Sequence, residues 1–172
     1  VDKKNQRFLI PISKHILSKG YDCIFHVLGD GPNRNSLLKQ IAIENLNSNI
    51  ILHGNVNDVE EHMKKADFYI HTAKYEPFGL VLIEAMASKL PVVSLDGKGN
   101  KDFIKNGVNG YIFEKEDPNI FANKLIELFN DNKLYNKISE NAQNTAKNYD
   151  IKNYVDKLIK IYKDSISSKN WL

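Results

Sequence analysis

Cysteine is nearly absent from this sequence: Cys23 stands alone among 172 residues, so no disulfide can close within the chain and a disulfide scaffold is excluded. Cys23 lies in an apolar run, the usual setting of a buried thiol in a reducing compartment, and the expected location is the cytoplasm. No apolar run approaches the roughly 20 residues that span a bilayer, and the basic, apolar, small-residue order of a signal peptide is missing. Any membrane contact is therefore expected to be peripheral, at the inner face. Charge of one sign is scarce too: 24 Lys+Arg against 21 Asp+Glu leave +3 with the signs interspersed, so nucleic acid is not an expected partner. A phosphate-bearing small molecule is compatible with that balance. The chain opens on Val1 in the polar run Asp2-Lys3-Lys4-Asn5-Gln6, which reads as a piece cut from a longer protein.

At 42% hydrophobic and 26% charged, the chain can bury a single-domain core without disulfides or metals. Phe8, Leu9, Ile12, Ile16 and Leu17 recur at helical spacing, predicting a helix over Asn5 to Lys19 that Pro11 kinks or makes start later. Cys23 to Leu28 reads as a strand covered on both faces. Further strands are expected at Ile50 to His53, Phe68 to His71, Val92 to Leu95 and Tyr111 to Phe113. Between them fall helices at Asn33 to Glu44, Val59 to Lys65 and Gly79 to Ser88, and a short one near Asn100 to Lys105. This alternation predicts a doubly wound parallel α/β sheet. After Pro118 the pattern is wholly helical, ending in an amphipathic helix over residues 151–168.

In such a sheet, ligands bind beyond the carboxyl ends of the strands, where loops feed helix N-termini. The richest such loop is Thr72-Ala73-Lys74-Tyr75-Glu76-Pro77-Phe78-Gly79, followed by the helix that carries Glu84. Pro77 fixes one backbone angle and Gly79 permits close approach, so the amides of Gly79, Leu80 and Val81 can converge on one anionic group. Glu84, one turn further on, can offer two oxygens to two adjacent ribose hydroxyls, with Glu76 on the sugar side of the phosphates. A solvated Glu84 and a helix-capping Glu76 remain an alternative reading of the same pair. Gly97-Lys98-Gly99 is either a phosphate-binding turn or a plain one. The spacing of His26, His53 and His71 supports no metal ligand set and reads better as buried or rim histidines, and the chain has no Asp-any-Asp pair to hold a divalent ion.

Five segments in order, Gly29-Asp30-Gly31-Pro32, His53-Gly54-Asn55-Val56, Glu76-Pro77-Phe78-Gly79 with Glu84-Ala85-Met86-Ala87, Pro91-Val92-Val93, and Asn106 to Tyr111, resemble one family. It is the C-terminal, donor-binding domain of the retaining family 4 (group 1) glycosyltransferases of GT-B architecture, and the likeness runs from Val1 to about Lys163. The resemblance implies that Glu84 holds the nucleotide ribose and that Glu76 contacts the donor sugar. It also implies that Pro77, Phe78, Gly79, Leu80 and Val81 meet sugar and phosphate, that Gly29, Asn55 and Val56 border the nucleotide, and that Lys4 neutralises the leaving diphosphate. The arginine paired with that lysine, and the first strand of the domain, would fall upstream of Val1. Asp96 to Asp102 departs from the family's usual Gly-Gly segment, with Asp102 in place of its glutamate. The implied substrate is a nucleoside diphosphate sugar, UDP-sugar favoured, with no metal or other cofactor. The implied partner is the protein's own N-terminal acceptor domain, toward which the helix at 151–168 would face. A non-catalytic nucleotide or sugar-phosphate binding module on the same sheet is the other class open to this chain, and alone the chain is expected to be inactive.

Overall fold

The computed structural model describes residues 3–167. A single 3-10 turn at Gln6–Phe8 leads into α1 (Leu9–Ser18), so of the two expected effects of Pro11 the later start is the one observed. Pro11 falls in the first turn of α1, where its missing N–H would have had no helical partner. Asn5 instead adopts a left-handed conformation, is buried, and donates its side-chain amide to Glu116 Oε1 at 3.0 Å.

The chain then alternates through β1 (Phe25–Leu28), α2 (Arg34–Ile43), β2 (Ile50–Gly54), α3 (Val59–Lys65), β3 (Tyr69–His71), α4 (Leu80–Ala87), β4 (Val92–Leu95), a 3-10 turn (Asn100–Asp102) and β5 (Tyr111–Phe113). Three helices follow: α5 (Pro118–Asn130), α6 (Asn132–Lys147) and α7 (Ile151–Ser167). Asp117 caps α5, its carboxylate accepting from the amides of Asn119 and Ile120, with Pro118 at the first helical position. Of the helix expected over 151–168, Ser168 lies outside the described residues.

All strand pairs are parallel, as the alternation predicts, and helices lie on both faces. Neighbouring residues on β4 show the two faces. Val93 and Leu95 join the core formed with α1 and α5, while Val92 joins the core formed with α4 and α6. Phe121 is fully buried in the first core, its ring edge-on to Phe8 and Phe113 at 5.2 Å each. Phe121→Ala is expected to cost about 3–5 kcal/mol of folding stability, measured by denaturant titration.

The hydrogen-bonded ladder is not continuous. β1 pairs with β2, and β4 pairs with β3 on one side and β5 on the other, but β1 does not pair with β3. The edges of β1 and β3 instead line one groove of about 1380 Å³, floored by Leu9, Ile16 and Leu125. This openness corrects the expectation of a first strand covered on both faces. Cys23 and Ile24 stay outside β1, Ile24 and His26 are exposed, and Cys23 is only partly buried, its thiol pushed up by that burial. The doubly wound sheet is therefore present as two parallel halves that share a groove.

Candidate functional site

The loop from β3 to α4 is tied to the start of the chain. Thr72 Oγ1 donates to the Lys4 carbonyl at 2.8 Å, and the Lys74 amide donates to the Lys3 carbonyl at 3.0 Å. These two bonds set Lys4 beside the loop, and its Nζ donates to Glu76 Oε2 at 2.6 Å. The other carboxylate oxygen, Glu76 Oε1, accepts from the Gly79 amide at 3.3 Å. Gly79 takes φ +71 ahead of α4, a conformation that glycine adopts without steric cost. Burial raises the Glu76 carboxyl, but the Lys4 hydrogen bond and charge, then His71 and the Gly79 amide, outweigh it and hold it below the usual carboxylate range. Glu76 thus occupies the Gly79 amide that the sequence reading assigned to phosphate. The amides of Leu80 and Val81, at the start of α4, remain within the unpaired first turn of the helix.

The Gly97-Lys98-Gly99 turn supports this loop from behind. The Glu76 amide donates to the Gly97 carbonyl at 2.8 Å, and Glu76 and Lys98 form a parallel bridge. A Cβ on Gly97 would lie 2.9 Å from Glu76 Cβ, and one on Gly99 would overlap the backbone of Pro77. The two glycines let one backbone press on another, which favours the plain-turn reading over a phosphate seat. Asn100, fully buried, fastens the turn by donating to Ser94 Oγ at 2.8 Å and the Leu95 carbonyl at 2.7 Å. Asp96 is held below its usual range by the Lys101 hydrogen bond.

Beneath Glu76 lies His71, the last residue of β3 and 5% exposed. Its Nδ1 is 3.3 Å from the Tyr69 hydroxyl, and its Nε2 is 3.6 Å from Glu76 Oε2, too long for a hydrogen bond. Burial lowers His71 from 6.5 to about 4, against the pull of Glu76 and with the push of Lys4, so the ring is neutral at pH 7 and forms no ion pair. The unfolded chain therefore binds a proton that the folded chain refuses. Stability is full above pH 6.5 and falls by up to about 3 kcal/mol as pH drops from 6.5 toward 4. Glu76, with its lowered carboxyl, adds a loss of the same sign below its ordinary range. Denaturant titration across pH is expected to show this slope, flattened above pH 5 by His71→Gln.

The groove between the half-sheets gathers Lys4, Gly29, Asn55, Val56, Val81 and Glu84. Glu84 is exposed, and its carboxylate makes no hydrogen bond or ion pair among the described residues. Pro77, Phe78 and Leu80 lie outside the groove lining and are exposed, with Phe78 edge-on to Phe103 at 5.8 Å. Of the three histidines singled out in the sequence, His26 and His53 meet at 2.8 Å beside His62, and His71 belongs to the Glu76 environment instead. No three His, Cys, Asp or Glu side chains among the described residues are grouped to hold a metal ion.

The sequence profile of the family described as glycosyl transferases group 1 matches residues 1–145. The chain belongs to this family. The poly(ribitol-phosphate) alpha-N-acetylglucosaminyltransferase of Staphylococcus aureus is 30% identical to this group 1 chain over 164 residues, 94% of the chain and 33% of the relative. The crystal structure of a mutant of S. aureus TarM in complex with Fondaparinux, alpha-GlcNAc-glycerol and UDP superposes with TM-score 0.85 at 30% identity, covering 94% of this chain and 33% of that one. The crystal structure of the C-terminal domain of a group 1 glycosyl transferase (LpcC) from Francisella tularensis gives TM-score 0.77 at 27% identity, covering 88% of this chain and 82% of that one. The group 1 chain thus spans about a third of the S. aureus relative and most of the Francisella domain. No described helix is long and apolar enough to cross a membrane.

Proposed function

We propose that this chain is the donor-binding half of a metal-independent, retaining glycosyltransferase that moves a sugar from a nucleoside diphosphate sugar to a glycan or glycolipid acceptor. One observation carries the reading: an unpaired Glu84 carboxylate lines the groove on the same helix whose first-turn amides are open, with Lys4 and Glu76 at the adjoining loop. UDP is the favoured carrier, and the UDP named in the solved TarM complex supports that choice. Glu84 takes the ribose hydroxyls, the amides of Leu80 and Val81 take the diphosphate, and Gly29, Asn55 and Val56 border the nucleotide. Lys4 leaves Glu76 for the phosphates, and Glu76 then orients the donor sugar. As the nucleoside diphosphate departs, positive charge grows on the anomeric carbon and negative charge on the phosphate that Lys4 faces. The acceptor attacks from the same face, and the leaving phosphate helps to remove its proton.

The upstream part of the full-length protein supplies a strand that enters the groove between β1 and β3 and, beyond it, the acceptor domain. The apolar stripe of α7, with Ile151, Val155, Ile159, Tyr162 and Ile166 all exposed, is turned to that domain. The protein works in the cytoplasm at the inner face of the membrane, and this chain alone transfers no sugar.

Calorimetric titration of UDP, GDP, ADP and CDP into the full-length protein tests the reading. We expect selectivity for UDP and a roughly 10–100-fold loss of UDP affinity in Glu84→Ala, the weight of one charged hydrogen-bonding site. Equal affinity in wild type and variant would remove Glu84 from the nucleotide site. Sugar-independent nucleotide binding without transfer in the full-length protein would favour the non-catalytic module instead.

A further inference from the structure

Two features of the Glu76 environment have no role in the account above: the buried His71 and the Tyr69 hydroxyl behind it. His71 Nε2 is one of two buried side-chain polar atoms among the described residues that have no hydrogen-bond partner. An orphaned buried donor is costly, and such a group in a native site calls for an explanation. The geometry supplies one, because the nearest acceptor is Glu76 Oε2 at 3.6 Å, and Lys4 already occupies that oxygen at 2.6 Å.

The tautomer follows from the neighbour. Tyr69 stays a phenol, because burial and the nearby Glu76 and Glu84 charges all raise it, so its hydroxyl has a proton to give to His71 Nδ1 at 3.3 Å. The rings lie 28° apart with centroids at 6.0 Å, so the tyrosine also fixes the plane of the imidazole. With Nδ1 accepting, the single ring proton of the neutral imidazole sits on Nε2, directed at the carboxylate. Tyr69 and His71 are thus successive donors aimed at the Glu76 oxygen that Lys4 now holds, with the last link open at 3.6 Å.

We propose that His71, oriented by Tyr69, is the positioning residue for Glu76: when Lys4 turns to the donor diphosphate, the His71 Nε2–H closes onto Glu76 Oε2 and keeps the carboxylate aimed at the sugar. The assignment rests on the donor-site reading above and adds to it the group that takes over from Lys4. As Lys4 swings to the phosphates, Glu76 Oε2 gives up the 2.6 Å donor it now has. Without a second donor, Glu76 would be left with the Gly79 amide alone as the sugar binds.

The test compares UDP with UDP-glucose as probes on the full-length protein, in wild type, His71→Phe and His71→Gln, with thermal unfolding recorded for each. UDP lacks the sugar that Glu76 faces, so His71→Phe is expected to bind UDP within twofold of wild type and UDP-glucose at least fivefold more weakly. His71→Gln, which restores an N–H near the Nε2 position, is expected to recover most of that loss. Selective ¹⁵N-histidine labelling of the wild type is expected to show the Nε2–H tautomer of His71 with and without UDP. Unchanged UDP-glucose affinity in His71→Phe, an equal loss for UDP and UDP-glucose in both variants, or an Nδ1–H tautomer would each overturn the proposal. A wild-type protein that binds neither probe would overturn the donor-site reading, and the role of His71 with it.

Discussion

Glu76→Gln in the full-length protein is expected to lower the rate of UDP release from its UDP-sugar donor by about 10²–10³-fold, the usual cost of removing one preorganised electrostatic partner from a transition state. Glutamine keeps the shape of the side chain, and its amide oxygen can still accept from the Gly79 amide, so the loop and the start of α4 should stay in place. What disappears is the negative charge at the sugar. The same substitution frees Lys4 from its 2.6 Å pair. UDP affinity is therefore expected to hold or to rise, because the ammonium no longer has to be drawn off a carboxylate before it meets phosphate. A fall in rate together with a comparable fall in UDP affinity would instead make Glu76 a scaffold for the loop. Steady-state kinetics beside UDP calorimetry separate the two.

The largest effect on the fold of the site is expected at a residue that touches no ligand. In Gly99→Ala the new Cβ would overlap the Pro77 carbonyl oxygen and lie 2.5 Å from that of Glu76. Both neighbours are backbone, so neither can rotate away as a flexible side chain would. The Glu76-Pro77 loop must be driven off the Gly97-Gly99 turn, at a cost of about 2–3 kcal/mol and a fall in Tm on the order of 5–10 °C. The displacement also takes Glu76 from Lys4, so weakened binding of UDP-glucose should accompany the loss of stability. Gly31→Ala is the control, since nothing lies within 4 Å of its Cβ, and its Tm is expected to stay within about 2 °C of wild type. Equal Tm values for the two variants would show that the turn does not support the loop.

The parts of this structure legible in the sequence are those set by local pattern. β4, β5 and α3 fall where the apolar periodicity places them, because their neighbours in sequence already determine length and face. The break between β1 and β3 is invisible to periodicity, since pairing is decided by what lies alongside a strand. Around the site, the resemblance names Lys4, Glu76 and Glu84, while the geometry changes one amide's assignment and decides between the two readings open for one turn. Gly79 gives its amide to Glu76, and Gly97-Lys98-Gly99 serves a backbone instead of a phosphate. The second depends on segments about twenty residues apart pressing together. The sequence reads His71 as a buried or rim histidine in place of a metal ligand, and buried it is, but the pattern gives it no role. Its environment is built from Tyr69, Glu76 and Lys4, and the lysine lies 67 positions away, beyond the reach of any local pattern.

The central claim is that a nucleotide lies along α4 with Glu84 on its ribose and Lys4 on its phosphates. The most direct measurement is a crystal structure of the full-length protein with UDP. The account predicts ribose hydroxyls against the Glu84 carboxylate, diphosphate at the amides of Leu80 and Val81, and Lys4 Nζ moved from Glu76 to phosphate. UDP seated away from Glu84, with Lys4 still paired to Glu76, would contradict it.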